Sequence, residues 1–533
     1  MYGGMTRWCE ERGVESIGHF MEHNMLYLNP KYCAGDMMRL QKYSSMGGID
    51  LVVRQMYTGQ RPRSIYQTSK LGSSISHVYG KRDDIAMCEI FGGYGQVLTY
   101  AEMKWLTDQH QVRGINFMIP HAFNPKAPND KDYPPYFYND GHEPRWPLYR
   151  VWADYTSRLS LMLTGGHHVC PVAVLFSGNA SRVGEYTTPE DLTTALQDAL
   201  YDADWLPFEA FENLATLDDG RVALHDERYR VLVVPPTELI PHATLAKVKR
   251  FFDRGGVVVG YGRLPTASGT VGVPSAGIVK LREAIWGGDL KPSTAASNTN
   301  AAGGRAYILP EKPDVATLTA ALHRDAGVAP VVEVLEGETD GWLHVLHRVK
   351  DGRDVFLICN QDHEGAAKDF RLRIATDGHP EIWDAMRNEI TSVPVKRGED
   401  GTEFPLTLEP MESVLVVCQP EKRELPVRLT SGTVGGAQVI PVSNTSWSGA
   451  PFSGRFELSA DVDSATSRVF VEVERPISEP AGRITVNGAE AGGFIGRPYR
   501  LDITRHLKPG ENTLKVAPFA PTAVRVLVMA SEG

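Results

Sequence analysis

Two glutamates, Glu22 and Glu89, each stand where a short apolar run gives way to a loop rich in Gly and polar residues. The runs are Val14-Glu15-Ser16-Ile17-Gly18-His19-Phe20-Met21-Glu22 and Ile85-Ala86-Met87-Cys88-Glu89-Ile90-Phe91-Gly92-Gly93. Read as β-strands, they place a carboxylate at each C-terminal end, which is where parallel barrels carry their chemistry. Two carboxylates facing one cleft are what cleavage of a glycosidic bond needs. One, protonated, gives its proton to the leaving oxygen; the other, ionised, activates water or attacks carbon. His19, His23 and His121 can donate and accept hydrogen bonds to a hydroxyl-rich ligand, and Arg54 and Tyr94 lie at or just beyond strand ends, where they could join them. Glu143 is a reserve carboxylate on a later loop, although Pro144 beside it equally suits a helix start. Trp105 and Trp146 read as core or rim.

The elements that would position these groups alternate. Helix 2–12 feeds strand 14–20; then come helix 35–46, strand 49–54, helix 67–80, strand 85–90, helix 99–112, strand 115–119 and helix 145–164. Thr99 with Glu102 three residues on is a capping-box signature. Strict alternation argues a parallel sheet with crossover helices, a barrel or an open doubly wound sheet. Four or five strands before residue 168 are too few for an eight-stranded barrel of about 250 residues. The expectation is therefore the C-terminal part of a TIM-type barrel over 1–168, on a chain lacking an N-terminal segment.

A second unit, 169–330, has buried runs at 172–176, 230–236, 256–261 and 305–309 with helices at 189–203, 241–254 and 313–325, a three-layer flavodoxin-like α/β domain. Its strand ends carry no Gly-rich phosphate fingerprint, and 263–304 reads as a long irregular excursion. From 331 the pattern turns to short alternating strands, giving a β-sandwich over 331–422 and a jelly-roll or galactose-binding-like β-sandwich over 423–533, with Asn487-Gly488 as a hairpin turn.

Composition bounds the function. The chain has 533 residues, 42% hydrophobic and 23% charged, with a net charge of −10. No basic run interleaved with aromatics is present, so nucleic acid is not an expected partner, and no apolar run reaches membrane-spanning length. The six cysteines are scattered without C-x-x-C spacing and read as mostly buried free thiols. Compartment stays open: extracellular or periplasmic if a missing N-terminus carries a signal peptide, otherwise cytoplasmic.

Several phrases together resemble a known family. GHFMEHN, GDMMRLQKYSSMGGIDLVVRQ and SKLGSSISHVYGKRDDIAMCEIFGGYGQVLTYAEMKWLTDQHQVRGINFMIPHAF are similar to the catalytic barrel of glycoside hydrolase family 106, the α-L-rhamnosidases, and of family 2-related glycosidases. ITVNGAEAGG with YRLDITRHLKPGENTLKV is similar to family 2 jelly-roll modules. The resemblance implies hydrolysis of a terminal α-L-rhamnoside by inversion, on a rhamnose-containing glycan or glycoside. It also implies a calcium ion in the sugar site; no cofactor is read from the residues themselves. Carried over, Glu22 and Glu89 fall on the family's strand-end carboxylates; which is acid and which is base goes beyond the sequence, and the reading adopted takes Glu22 as acid and Glu89 as base. An inverting pair should stand about 6.5–9.5 Å apart.

Three alternatives compete. A family 2-like enzyme for a galactoside, glucuronide or mannoside would share the tail modules. His19-Phe20-Met21-Glu22-His23 matches H-x-x-E-H, a zinc-peptidase pattern, but that pattern works only on a helix and here the preceding run reads as strand. A barrel that is truly incomplete would favour a non-catalytic carbohydrate-binding or scaffold protein, or an oligomer that covers the exposed strands. No G-x-S-x-G elbow or phosphate loop is present.

Overall fold

The computed structural model describes residues 2–20, 36–124, 126, 133–178, 183–428, 437–447, 450–459, 462, 467–474 and 479–530. The first unit contains α1 (Tyr2–Glu10), α2 (Met37–Gln41), β1 (Gly47–Leu51), α3 (Ser69–Val78), β2 (Ala86–Ile90), α4 (Tyr100–Gln111), β3 (Phe117–Pro120) and α5 (Trp146–Leu163). The strands form a parallel sheet in the order β1-β2-β3, with Asp50 opposite Glu89 and Glu89 opposite Ile119. No barrel closes among the described residues. Helix α4 begins as its sequence predicts: the Thr99 hydroxyl accepts from the Glu102 amide at 3.1 Å. The reciprocal half of the capping box is not formed, because the Glu102 carboxylate bonds Arg54 instead.

The expected strand 14–20 is not a strand. Residues 14–20 run as irregular chain, tied to the 42–46 turn by the Ser45 amide donating to the Ser16 carbonyl at 2.8 Å. They also press on β1. A Cβ at Gly48 would lie 2.0 Å from the Gly18 carbonyl oxygen, and one at Gly47 would lie 2.0 Å from the Gly72 carbonyl oxygen in α3. The glycine pair at the start of β1 thus lets helix α3 and the 14–20 segment approach the strand's backbone at van der Waals distance. The expected helix 35–46 is short for a related reason: its described part ends at Gln41, whose side chain turns in to bond both the amide and the carbonyl of Gly48.

The second unit holds β5 (Val172–Phe176), α6 (Pro189–Asp198), β6 (Ala203–Pro207), α7 (Phe208–Asn213), β10 (Val231–Val234), α8 (His242–Asp253), β12 (Val257–Tyr261), α9 (Ala276–Trp286) and β15 (Arg305–Leu309). Its parallel strands run β6-β5-β10-β12-β15, the 2-1-3-4-5 order of flavodoxin-like folds, with β14 (Asn298–Thr299) antiparallel at the edge. Strands β5, β6, β10 and β12 are buried at every position, as a sheet covered on both faces requires. Several features depart from expectation: the expected helix 189–203 ends at Asp198, and β6 and α7 follow it where no strand or second helix was expected. A small meander, β7 (Thr216–Asp218), β8 (Arg221–Leu224) and β9 (Glu227–Tyr229), precedes β10, and a short parallel pair joins β11 (Leu239–Ile240) to β13 (Ala267–Ser268). The 263–304 excursion contains α9, anchored by buried Trp286, whose indole donates to the Tyr307 carbonyl at 2.9 Å.

Beyond residue 331, a four-stranded and a six-stranded antiparallel sheet share one core, in which Phe370, Leu372, Phe404 and Leu406 meet Val345, Phe356, Ile358, Val414 and Val416. The six-stranded sheet recruits β4 (His167–His168), which pairs with the strand Leu343–Lys350. The last unit repeats the plan with a four-stranded and a five-stranded sheet around Phe456, Val471, Ile484, Phe494, Leu514 and Val526. Its Asn487-Gly488 turn has φ of 51° and 81°, the two positive values that a tight hairpin needs. Cys9, Cys88, Cys170, Cys359 and Cys418 are free thiols, all but Cys9 buried; Cys33 lies outside the described residues.

Candidate active site

Glu89 lies near the C-terminal end of β2, and because parallel strands in register put paired residues on one face, Asp50 of β1 stands beside it. His19 bridges the two: its Nε2 lies 3.3 Å from Glu89 Oε2 and its Nδ1 3.9 Å from Asp50 Oδ2. The side chains of Asp50, His19 and Glu89 are 12%, 23% and 34% exposed, so the group is sunk at a sheet edge yet open to a ligand. What carries His19 there is the contact of the Gly18 carbonyl with Gly48, two residues before Asp50. The site therefore depends on a backbone approach that only glycine at position 48 permits.

The turn after β2 shapes one wall. Gly93 has φ of +70°, and a Cβ there would meet Val53 at 2.8 Å; Gly92 sits against the imidazole of His121. His121 follows β3, and its amide donates to the Ile90 carbonyl at 2.9 Å, so the ring stands next to the end of Glu89's strand. Arg54 points to the first turn of α4, where it pairs with Glu102 at 2.8 Å and lies 5.6 Å from the Tyr94 ring centroid. Tyr94 is buried at 2% exposure, and its hydroxyl donates to the Met56 carbonyl at 2.6 Å. The structure thus brings together Glu89 and His19, places His121 at the end of the neighbouring strand beside Gly92, sets Arg54 on a salt bridge at the side, and puts Tyr94 in the core. Glu22 and His23 lie outside the described residues.

Asp50 is the residue that the sequence reading missed. Its signal was present: one ionisable side chain inside Gly47-Gly48-Ile49-Asp50-Leu51, a strand otherwise buried. The reserve carboxylate Glu143 has another task, since it bonds Arg145 at 2.8 Å and Gln96. Burial works to raise its pKa, and the hydrogen bonds and charge of Arg145 more than offset this, leaving it below the usual carboxylate range. Cys88, beside Glu89, is buried, and its thiol is pushed well up by desolvation, so it stays protonated and offers no nucleophile. Trp105 is core, its indole donating to the Gln361 carbonyl at 3.0 Å, whereas Trp146 joins a half-buried aromatic group with Phe123, Tyr138 and Tyr149. The zinc-peptidase pattern lacks its helix over the described part, because His19 sits in irregular chain.

His19, Asp50 and Glu89 present donor atoms within 4.8 Å of one another. Calcium takes hard oxygen donors. Asp50 and Glu89 supply two, so these carboxylates fit the ion that the resemblance implies, while an imidazole is a softer donor than it prefers.

The carboxylate pair with His19 thus stands at the C-terminal edge of a parallel sheet that is followed by a flavodoxin-like unit and antiparallel sheets. The family model described as alpha-L-rhamnosidase, glycoside hydrolase family 106, matches residues 1–397, and the chain belongs to that family. A rhamnosidase from Novosphingobium sp. PP1Y shares the fold with a TM-score of 0.75 and 19% identity, over 99% of this chain and 55% of that one. A GH42 β-galactosidase from G. stearothermophilus superposes less well, with a TM-score of 0.52 and 12% identity over 76% of this chain and 64% of that one. A candidate beta-glucuronidase of Formosa agariphila is 25% identical over 389 residues, 70% of this chain and 30% of that protein. The chain thus spans about half the length of the rhamnosidase and under a third of the curated relative. No helix among the described residues is long and apolar enough to cross a membrane.

Proposed function

We propose that the protein hydrolyses terminal α-L-rhamnosides with inversion, Glu22 acting as general acid and Glu89 as general base. The observation that supports this most is the registered pair Asp50 and Glu89 with His19 between them. In this reading Glu89 takes a proton from the water that attacks the anomeric carbon, and His19, bonded to Glu89, fixes the orientation of the carboxylate. Asp50 accepts a hydroxyl of the sugar and His121 contributes a further polar contact from the end of β3. His23 and Arg54 are assigned to substrate binding. Calcium, when bound, would be held by Asp50 with Glu89 beside it and would supply a fixed positive charge to sugar hydroxyls. The three parallel strands are then the C-terminal part of a (β/α)8 barrel, and the paired antiparallel sheets are the two β-sandwich domains.

A panel of aryl glycosides, α-L-rhamnoside with β-D-glucuronide, galactoside and mannoside, tests the reading by release of chromophore. Release from the rhamnoside is expected, with loss of about 10²–10⁴ in kcat for Glu89→Gln and for Glu22→Gln, the span that one general acid or base contributes. The anomer first formed, followed by NMR, should be inverted. Full activity of Glu89→Gln would remove its role as base, and release from the glucuronide alone would move the substrate to the class named for the Formosa agariphila relative.

A further inference from the structure

A second polar cluster lies away from this site, where α3, β4, β6 and β9 meet. His77, His168, Asp204 and Glu227 present donor atoms within 4.8 Å of one another, and their side chains are at most 2% exposed. We propose that these four residues form a closed zinc site that fastens the parallel-sheet unit to the flavodoxin-like unit.

The separations fit. His77 Nδ1 lies 3.0 Å from Asp204 Oδ2, His168 Nδ1 lies 3.6 Å from the same oxygen, and His168 Nδ1 lies 3.1 Å from Glu227 Oε1. Four ligands at zinc distances of about 2.0–2.1 Å on a tetrahedron stand about 3.4 Å apart. The surroundings are those of a ligand set. His168 Nε2 lies 2.8 Å from Asp202, which Lys70 grips at 2.6 Å; an Nε2–H donated to that carboxylate leaves the Nδ1 lone pair facing the other three donors. Tyr229 and Ser74 donate hydroxyls to Asp204 at 3.0 and 3.1 Å, orienting a second ligand.

Charge makes an independent case. Asp202, Asp204 and Glu227 bring three negative charges and Lys70 one positive, all in the interior. One dication makes the cluster neutral with both imidazoles uncharged. Two protons could do so too, either by charging both rings, which are stacked 4.2 Å apart at 23°, or by keeping a carboxyl protonated in the interior. Two imidazoles and two carboxylates suit zinc better than calcium or magnesium. With four protein ligands and no open position the ion would be structural, not catalytic.

The test is metal content of the intact chain, made with zinc in the medium and dialysed against a weak chelator. One zinc per chain is expected, retained in the Asp50→Asn/Glu89→Gln double variant, which separates this cluster from the catalytic one. Glu227→Gln should lower retention about tenfold or more. Should that variant fail to fold, the unsubstituted chain grown on cobalt decides: intense visible absorption of four-coordinate Co(II) supports the site. Folded chain with less than about a tenth of an equivalent of zinc, or a weak six-coordinate cobalt spectrum, or full zinc retention in Glu227→Gln, overturns it.

Discussion

Arg348→Met should unfold this protein more easily while leaving the chemistry of the folded molecule intact. Arg348 comes from the strand Leu343–Lys350 of the third unit, yet it ends on the first: it donates to Asp84 at 2.9 Å and to the Gly165 carbonyl at 2.8 Å. The side chains of Arg348 and Asp84 are 1% and 12% exposed, so water cannot replace what is lost. Removing one partner of a buried ion pair costs about 3–5 kcal/mol, most of it the penalty of the charge left behind. Asp84→Asn should cost about 3–5 kcal/mol as well, because it leaves the Arg348 guanidinium, at 1% exposure the more buried partner, without its counter-charge. The double substitution should fall short of the sum by about 1–3 kcal/mol, as directly bonded partners do.

The position of Asp84 gives the second half of the prediction. It precedes β2, whereas Glu89 stands near the other end of that strand, about 16 Å away at 3.3 Å per residue. In parallel sheets of this kind the N-terminal ends carry stability and the C-terminal ends carry chemistry. Urea unfolding followed by tryptophan fluorescence measures the first quantity, and kcat on the aryl rhamnoside at low temperature, per folded molecule, measures the second. A cost under about 1 kcal/mol for Arg348→Met, or additivity of the two substitutions within about 0.5 kcal/mol, would refute the argument for a buried lock between the units. A large fall in kcat without loss of stability would refute the separation of the two ends.

Other expectations follow from single side chains. Asp50→Asn should raise KM for the rhamnoside and lower kcat by less than Glu89→Gln does, because a group that orients sugar contributes to binding as well as to the transition state; steady-state kinetics separate the two. Burial acts to raise Asp384, but Arg387 and Arg428 hold its carboxylate below the usual range. A folded pKa depressed below 3.8 means stability that is present above that pH and lost as pH falls through the folded value, so Asp384→Asn should flatten the acid limb of a pH–stability curve. Glu479 behaves oppositely: burial pushes it up to about 7 against the opposing charge of Arg145 and the amides of Tyr100 and Ala101. The folded form then holds a proton that the unfolded chain releases near pH 4.5, so stability declines between pH 4.5 and about 7, by at most about 3 kcal/mol. Glu479→Gln, which keeps an acceptor for the Tyr100 amide, should abolish that decline in thermal melts.

The parts of the fold that local pattern encodes were legible. Strand β2 shows as an apolar run ending in one carboxylate before Gly92-Gly93, and α4 shows through Thr99 and its helical spacing. The Val-rich strands β5, β10 and β12 of the flavodoxin-like unit show as short buried runs, whereas β6, which begins at the end of the expected helix 189–203, does not. Elements that other parts of the chain dictate did not show. The β7–β9 meander is too short for periodicity to register, and α9 is hidden in a stretch whose Gly, Ser and Thr content argues loop.

The candidate site divides along the same line. Glu89 could be read because a strand end is a local property, but the partner and the histidine that complete the group are fixed by register and by a close contact. Asp50 reaches Glu89 only because β1 pairs with β2 in parallel, one residue of slip being enough to send its side chain to the other face. His19 reaches both because residues 14–20 do not form the strand their apolar pattern suggests. The Gly18 carbonyl instead occupies the volume that any side chain at position 48 would need. The clue in the sequence was thus not the apolar run but the adjacent glycines 47 and 48 at the start of a strand, a place where glycine weakens pairing unless another backbone must come close. A Gly48→Ala substitution would put a methyl carbon 2.0 Å from that carbonyl and force residues 18–20 away from β1. The expected consequence is loss of activity through displacement of His19, with the carboxylates Asp50 and Glu89 still in register; kcat restored to the unsubstituted level in that variant would sink the claim that this contact places the histidine.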